Sequence, residues 1–351
     1  MIKLAIIGTG GMARAHATAY KAIPRCKVVA GVDLDGNRVR DFCKTHSIPH
    51  AFTSVEEMLA ERDIDAASVV TPDVAHVGPS LVMIRAGKHV LCEKPLAPTA
   101  KEAKKLVDAI RRRKNLIHMV NFSYRTSSAL HAVHKLVAAG RIGRIMHLEA
   151  HYLQTWLSST IWGDWRKSPS LLWRLSTDRG SKGVLGDIGV HIVDLASYAA
   201  AEDIVSVNGR LKTFSKAPRN RIGQYTLDAN DSATMQIELK NGGIGTITAT
   251  RWATGQVNSL RLLLYGDKGG VRLDLDRSYD EYEICVGKAN VNKARWKIIK
   301  APKTPTMYER FIKGITSGKN DSSDFIRGWN VQKVLDACSA SNDVGRAVRI
   351  T

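Results

Sequence analysis

Apolar residues open the chain in one block. Ile2-Lys3-Leu4-Ala5-Ile6-Ile7 is apolar at every position but one, and the turn-forming run Gly8-Thr9-Gly10-Gly11-Met12-Ala13 follows directly. A block this short, bounded by glycines, predicts a strand buried on both faces. The theme repeats: a helix runs to about Ile23, and a second apolar strand, Val28–Val32, ends in Asp33. Further strands are expected at Ala66–Val70, His89–Cys92 and Leu116–Phe122, with helices at Val55–Arg62 and Val74–Ala86. Thr99-Ala100-Lys101-Glu102 has capping-box spacing and opens a helix to about Arg113. Strand–helix alternation of this kind predicts an α/β architecture with a doubly wound parallel sheet.

After Phe122 the pattern changes. Ser128–Ala139 reads as a helix stopped by Gly140, and long alternating segments follow at Arg144–Gln154, Ile204–Phe214, Ser232–Leu239, Ile244–Arg251, Leu260–Tyr265 and Val271–Leu275. Asn241-Gly242 and Asp267-Lys268-Gly269-Gly270 are turn signals between strands. Hairpin-linked strands predict an α+β domain with a large, mostly antiparallel open sheet. Ser215–Asn230 and Lys288–Lys303 read as irregular, and a last helix, about 323–341, is expected to pack back on the domain interface. The expected division is 1–122 and 123–351, with function lying between the two, where ligands bind such folds.

Composition narrows the class. At 351 residues, 44% hydrophobic and 24% charged, the chain can bury two full cores, and no run of about 18 apolar residues indicates a membrane span. Met1 leads straight into the first strand with no signal-peptide pattern, so a cytoplasmic protein is expected. Five cysteines stand singly, without C-x-x-C, which argues against a disulfide scaffold or zinc ribbon. The net charge of +19 attracts anions. The basic residues are diluted along the chain, however, without an aromatic-interleaved stripe, so no nucleic-acid partner is expected.

The chemistry begins at the glycine turn. Gly8 permits the tight turn, Gly10 lets backbone approach a pyrophosphate, and Ala13 allows close helix–strand packing. Gly8, Thr9, Gly10, Gly11 and Met12 thus form a candidate dinucleotide cradle at a helix N-terminus, the mark of a Rossmann domain. Asp33 at the end of strand two can accept from ribose hydroxyls and repels a 2′-phosphate, favouring NAD over NADP; Arg38 is placed to swing toward a phosphate. Two more strand ends face the same side: Thr71-Pro72-Asp73, followed by His76, and Glu93-Lys94-Pro95. Glu93 is a cofactor or helix-terminus contact, and His76 touches cofactor or caps a helix. In the second domain, Gly186-Asp187-Ile188-Gly189-Val190-His191-Ile192-Val193-Asp194 places Asp187, His191 and Asp194 on roughly one helix face. No further His, Cys or Glu cluster completes a metal shell, so no metal is expected.

Together these stretches resemble the glucose–fructose oxidoreductase/inositol dehydrogenase (Gfo/Idh/MocA) family from end to end. The matching pieces are GTGGMA, Asp33, TPDVAH, CEKP, the "NFSYR" strand end at 121–125, "GRIGRI" at 140–145 and GDIGVHIVD. "WGDWR" at 162–166 is most similar to members acting on inositols and anhydrosugars. The resemblance implies an NAD-dependent oxidoreductase acting on a secondary alcohol of a cyclic polyol or sugar. It makes 1–122 the NAD-binding domain and 123–351 the substrate-binding and oligomerisation domain, and it implies a homo-dimer or homo-tetramer paired through the sheet. It implies catalytic roles for Lys94, His191 and Asp187, and cofactor contacts for Asn121, Trp165 and Arg166. Tyr124 and Arg166 join Lys94, Asp187 and His191 as expected substrate contacts.

The residue types suit those roles. Imidazole titrates near neutrality and can accept the hydroxyl proton at His191. The Lys94 ammonium can stabilise developing charge on the same oxygen. Asp187 orients the imidazole or binds a substrate hydroxyl, Gly189 leaves room for a sugar ring, and Asp194 contacts substrate or makes a structural hydrogen bond. Trp156, Trp162, Trp165 and Trp173 line the pocket or anchor a loop or oligomer. Two other functions share parts of the pattern: an NAD-dependent glycosidase with a transient redox step, and a non-catalytic NAD-sensing protein, which would need no Lys94–His191 pair.

Overall fold

The computed structural model describes residues 1–350 and divides into two units, 1–123 with 305–332, and 124–304 with the C-terminal residues from 333 on. The expected second segment, 123–351, is therefore interrupted, because 305–332 belongs to the first unit.

In the first unit, β1 (Ile2–Ile7), α1 (Ala13–Lys21), β2 (Cys26–Val32), α2 (Gly36–His46), β3 (His50–Phe52), α3 (Val55–Glu61) and β4 (Ala66–Val69) alternate strictly. The alternation continues through α4 (Val77–Arg85), β5 (His89–Cys92), α5 (Ala100–Arg111) and β6 (His118–Val120). All six strands pair in parallel in the order β3-β2-β1-β4-β5-β6. This is the doubly wound order, with its reversal between β1 and β4. Leu4, Ile6, Ala66, Leu91 and Met119 bury one face of the sheet under α1, where Met307, Phe311 and Ile312 of the returning segment join the same core.

In the second unit, α6 (Ser128–Ala138), β7 (Ile145–Gln154) and the short α7 (Pro169–Leu172) lead to a π-helical turn, Leu185–Gly189, continuous with α8 (Val190–Ala200). Every residue of α8 is buried, the polar His191, Asp194 and Ser197 included. Then come β8 (Ile204–Lys212), a small hairpin of β9 (Arg221–Ile222) and β10 (Tyr225–Thr226), β11 (Ser232–Leu239), β12 (Ile244–Thr250), β13 (Asn258–Gly266), β14 (Gly269–Asp274) and β15 (Glu281–Val286). A short helix α9 (Lys288–Asn292) and strand β16 (Lys297–Lys300) follow. In the returning segment, α10 (Met307–Ser317) carries a capping box between Thr306 and Glu309. Finally α11 (Phe325–Val344) supplies 325–332 to the first unit and 333–344 to the second, before β17 (Val348–Arg349).

The nine-stranded sheet runs β16-β15-β14-β13-β7-β12-β11-β8-β17 and is antiparallel except where β12 pairs with β7. Two stretches expected to be irregular are partly ordered. Lys288–Lys303 holds α9 and the edge strand β16, whose terminal lysines blunt the exposed edge; Ser215–Asn230 holds the β9–β10 hairpin. Among the described residues, no helix is long and apolar enough to cross a membrane.

Candidate active site

The glycine turn sits where the sheet order reverses. Gly8 has φ +91°, and a Cβ there would lie 2.7 Å from the Thr71 amide nitrogen, so only glycine lets the end of β1 touch the end of β4. Beyond it, nothing lies within 4 Å of a Cβ built on Gly10 or Gly11. The first turn of α1 carries no acidic residue and Met12 makes no side-chain cap. A helix N-terminus without a side-chain cap, beside open space, fits a pyrophosphate.

Asp33 is heavily engaged. Its Oδ2 accepts from the Thr9 amide (2.8 Å), the Thr9 hydroxyl (2.9 Å) and Arg38 Nε (3.1 Å), while Oδ1 accepts from the Asp35 amide and Arg38 Nη2. Burial opposes this carboxylate's charge, but the Arg38 and Thr9 bonds outweigh it and hold its pKa far below the usual range. The Arg38 side chain is half exposed.

Three strand ends of the first unit are tied together by buried polar groups. Glu93 Oε1 accepts from His16 Nε2 (2.8 Å) and Asn121 Nδ2 (2.6 Å), and its Oε2 accepts from the Lys94 amide (3.2 Å). Burial raises the Glu93 pKa, yet the hydrogen bonds from His16 and Asn121, with the charges of His16 and Lys94, bring it down to about 2. His16 also bonds Ser68 Oγ at 2.7 Å, and its ring meets Tyr308 edge-on. The Lys94–Pro95 peptide is cis.

His76 is fully buried and caps no helix with its side chain. Its Nδ1 lies 2.7 Å from the Pro95 carbonyl oxygen and Nε2 lies 2.9 Å from that of Thr71. Carbonyl oxygens only accept, so both ring nitrogens donate and the ring is an imidazolium. Burial lowers its pKa, but Cys92, Asp73 and the Pro95 carbonyl outweigh that and raise it to about 9. Two buried atoms at these strand ends, Thr71 Oγ1 and Asn121 Oδ1, have no protein partner. Both suit the polar groups of a bound dinucleotide.

In the second unit His191 is buried to 8% exposure, with the Tyr124 ring edge-on at 5.0 Å and Tyr152 at 6.3 Å. Tyr152 gives its proton to Asn258 Oδ1 (2.8 Å), Asn258 Nδ2 donates to the Tyr124 oxygen (3.2 Å), and Tyr124 therefore donates to Tyr152 (2.5 Å). Gln154, fixed by Trp156 Nε1, donates into the same ring of bonds. Burial pushes the Tyr152 phenol far up, with Tyr124 and Asp187 adding to it, so it stays neutral.

Asp187 lies in the π-helical turn, where successive residues rotate less than in an α-helix; such turns recur at functional sites. Its Oδ2 accepts from the buried Arg251 Nη2 at 2.9 Å, with Arg174 Nε at 3.7 Å. Asp194 points elsewhere: both oxygens receive the Arg125 guanidinium, which makes its role a structural ion pair. At Gly189 a Cβ would meet Leu185 Cδ1 at 3.2 Å, so the glycine lies close against that side chain. Trp165 is 1% exposed, packed with Trp156, Leu157, Leu172, Leu175 and Leu227, and donates to the Leu157 carbonyl. That burial makes it a core ring and leaves Arg166, stacked over it and more than half exposed, as the accessible member of the pair. His16, Tyr152, Arg251 and Asn258 carry no motif of their own, and sequence reasoning missed them.

Residues 2–122 match the "Oxidoreductase family, NAD-binding Rossmann fold" and residues 130–272 match the "GFO/IDH/MocA C-terminal domain". The chain belongs to the Gfo/Idh/MocA family. Among relatives of this Gfo/Idh/MocA protein, levoglucosan dehydrogenase of Pseudarthrobacter phenanthrenivorans is 27% identical, over 96% of this chain and 95% of that one. Glucose-6-phosphate 3-dehydrogenase of Bacillus subtilis is 30% identical over 69% of this chain and 65% of its own. A solved levoglucosan dehydrogenase in complex with NADH superposes with TM-score 0.88 at 25% identity, covering 100% of this chain and 99% of that one. The protein is thus an NAD-binding oxidoreductase related to sugar dehydrogenases.

Proposed function

We propose that this Gfo/Idh/MocA protein oxidises, reversibly, a secondary alcohol of a cyclic polyol or sugar, and that it uses NAD in preference to NADP. Bound NAD would supply the hydride acceptor. The glycine turn 8–12, Asp33, Arg38, Thr71, Pro72, His76, Glu93, Asn121 and Arg166 are the residues proposed to hold or surround it. His191 accepts the hydroxyl proton, Lys94 donates to the same oxygen as negative charge develops there, and Asp187 binds a neighbouring hydroxyl. Tyr124 and Arg166 shape the substrate side.

The observation that carries this reading is the pairing of Asp187 with two guanidiniums beside a phenol-walled imidazole. A carboxylate so paired suits a hydroxyl acceptor, which leaves proton transfer to His191. Levoglucosan, D-glucoside and glucose-6-phosphate dehydrogenases among the relatives support the substrate class. Exposed Met146, Ile244 and Ile298 on strands of the large sheet support a homo-oligomer paired through it.

The test is a polyol and sugar panel scored by NADH absorbance. On the best substrate, Lys94→Ala and His191→Ala should each lose about 10²–10⁴-fold in kcat, while NADH titration by fluorescence stays near wild type. Near-wild-type turnover in either variant rejects the mechanism.

A further inference from the structure

Behind Asp187 lies a row of buried charges. Arg251, just after β12, is fully buried; its Nη2 serves Asp187, its Nη1 serves the Arg174 carbonyl at 3.0 Å, and its Nε has no partner. Its amide pairs with the Asp231 carbonyl at 3.0 Å, and the Asp231 carboxylate acts electrostatically on its guanidinium. Asp231, also fully buried, accepts on Oδ2 from the Phe214 amide (2.8 Å) and Lys216 Nζ (2.6 Å), and its Oδ1 has no partner. The Lys216 side chain is itself fully buried and also donates to the Phe214 carbonyl. The signs alternate: Lys216, Asp231, Arg251, Asp187.

We propose that Lys216 is a positioning residue for Asp187, acting through Asp231 and Arg251. Two carboxylates compete for one guanidinium, and the unpartnered Nε–H and Oδ1 are a ready donor and acceptor for the wrong pairing. The Lys216 ammonium neutralises Asp231, so Arg251 stays committed to Asp187. Removing that ammonium leaves a buried, uncompensated carboxylate, which draws the guanidinium off Asp187. The effect on turnover rests on the proposed role of Asp187 toward substrate; the electrostatic linkage does not.

The experiment uses the full-length chain in two arms. In the first, thermal unfolding is measured for Lys216→Met, Asp187→Asn and their combination. With the neutral amide of Asp187→Asn in place, Arg251 can serve Asp231 alone, so Lys216→Met should lower Tm by at least about 3 °C less than it does beside Asp187. Additive shifts overturn the proposal. In the second arm, Lys216→Met should raise the substrate KM about tenfold with a smaller change in kcat. Lys216→Arg, which keeps the charge, and the neutral pair Lys216→Met/Asp231→Asn should return KM to within about twofold of wild type. An unchanged KM in Lys216→Met, or no recovery in the neutral pair, also overturns it. If no sugar or polyol turns over, the proposed function fails while the first arm still decides the linkage.

Discussion

Asp194 receives the Arg125 guanidinium on both carboxylate oxygens, at 2.7 and 2.6 Å, with both side chains almost wholly buried. The Tyr198 ring lies 3.9 Å under the same guanidinium, and His131 bonds both the Arg125 carbonyl and the Tyr198 hydroxyl. Asp194→Ala takes both carboxylate oxygens away from a buried cation, at a cost of about 3–5 kcal/mol. Calorimetry should show Tm falling by at least about 6 °C while substrate KM in the surviving folded fraction stays unchanged. A raised KM with unaltered Tm would mean that Asp194 contacts substrate.

Asp33 already accepts five hydrogen bonds, two of them from Arg38. The half-exposed Arg38 guanidinium thus shares the carboxylate that is proposed to meet the ribose, and the proposed preference for NAD is tested at this pair. Asp33→Asn should weaken NADH binding about tenfold, the worth of one charged hydrogen bond, and narrow the gap to NADPH. Arg38→Ala should do the opposite, widening it. Parallel fluorescence titrations with both cofactors check the two outcomes.

The His76 imidazolium predicts a pH dependence with a definite sign. Its folded pKa, about 9, exceeds the ordinary 6.5. The stability it contributes is therefore complete below pH 6.5 and lost as pH rises through 9. Full loss is on the order of 3 kcal/mol. Urea unfolding of wild type and His76→Gln should show a stability gap that narrows between pH 6.5 and 9.5. A gap independent of pH would mean that the ring is neutral.

The sequence made the first unit legible because its strands are continuous apolar blocks and its chemistry sits at their ends, within a residue or two of a glycine or proline. The proposed catalytic residues Lys94 and His191 are visible for the same reason: each lies in a short stretch with distinctive neighbours. Arg251, Asp231 and Lys216 were not, because a buried ion pair is assembled from distant strands and leaves no local spacing. Trp165 shows the converse limit. Its surroundings in sequence place it beside Arg166, but burial is decided by Leu172, Leu175 and Leu227, which only the tertiary fold brings to it. β16 escaped notice because two isoleucines between lysines read as loop rather than as a guarded edge.

The return of 305–332 to the first unit sets an order on biosynthesis. The six parallel strands are complete once Val120 has emerged, yet Met307, Phe311 and Ile312, which complete the core under α1, leave the ribosome almost two hundred residues later. Ser323 then caps the Val120 carbonyl, and Gly328 admits Leu96 and Val120 against α11. A nascent chain must therefore carry an unfinished nucleotide lobe through the synthesis of eight of the large sheet's nine strands. A fragment cut after residue 123 would keep its glycine turn and lose the floor beneath it.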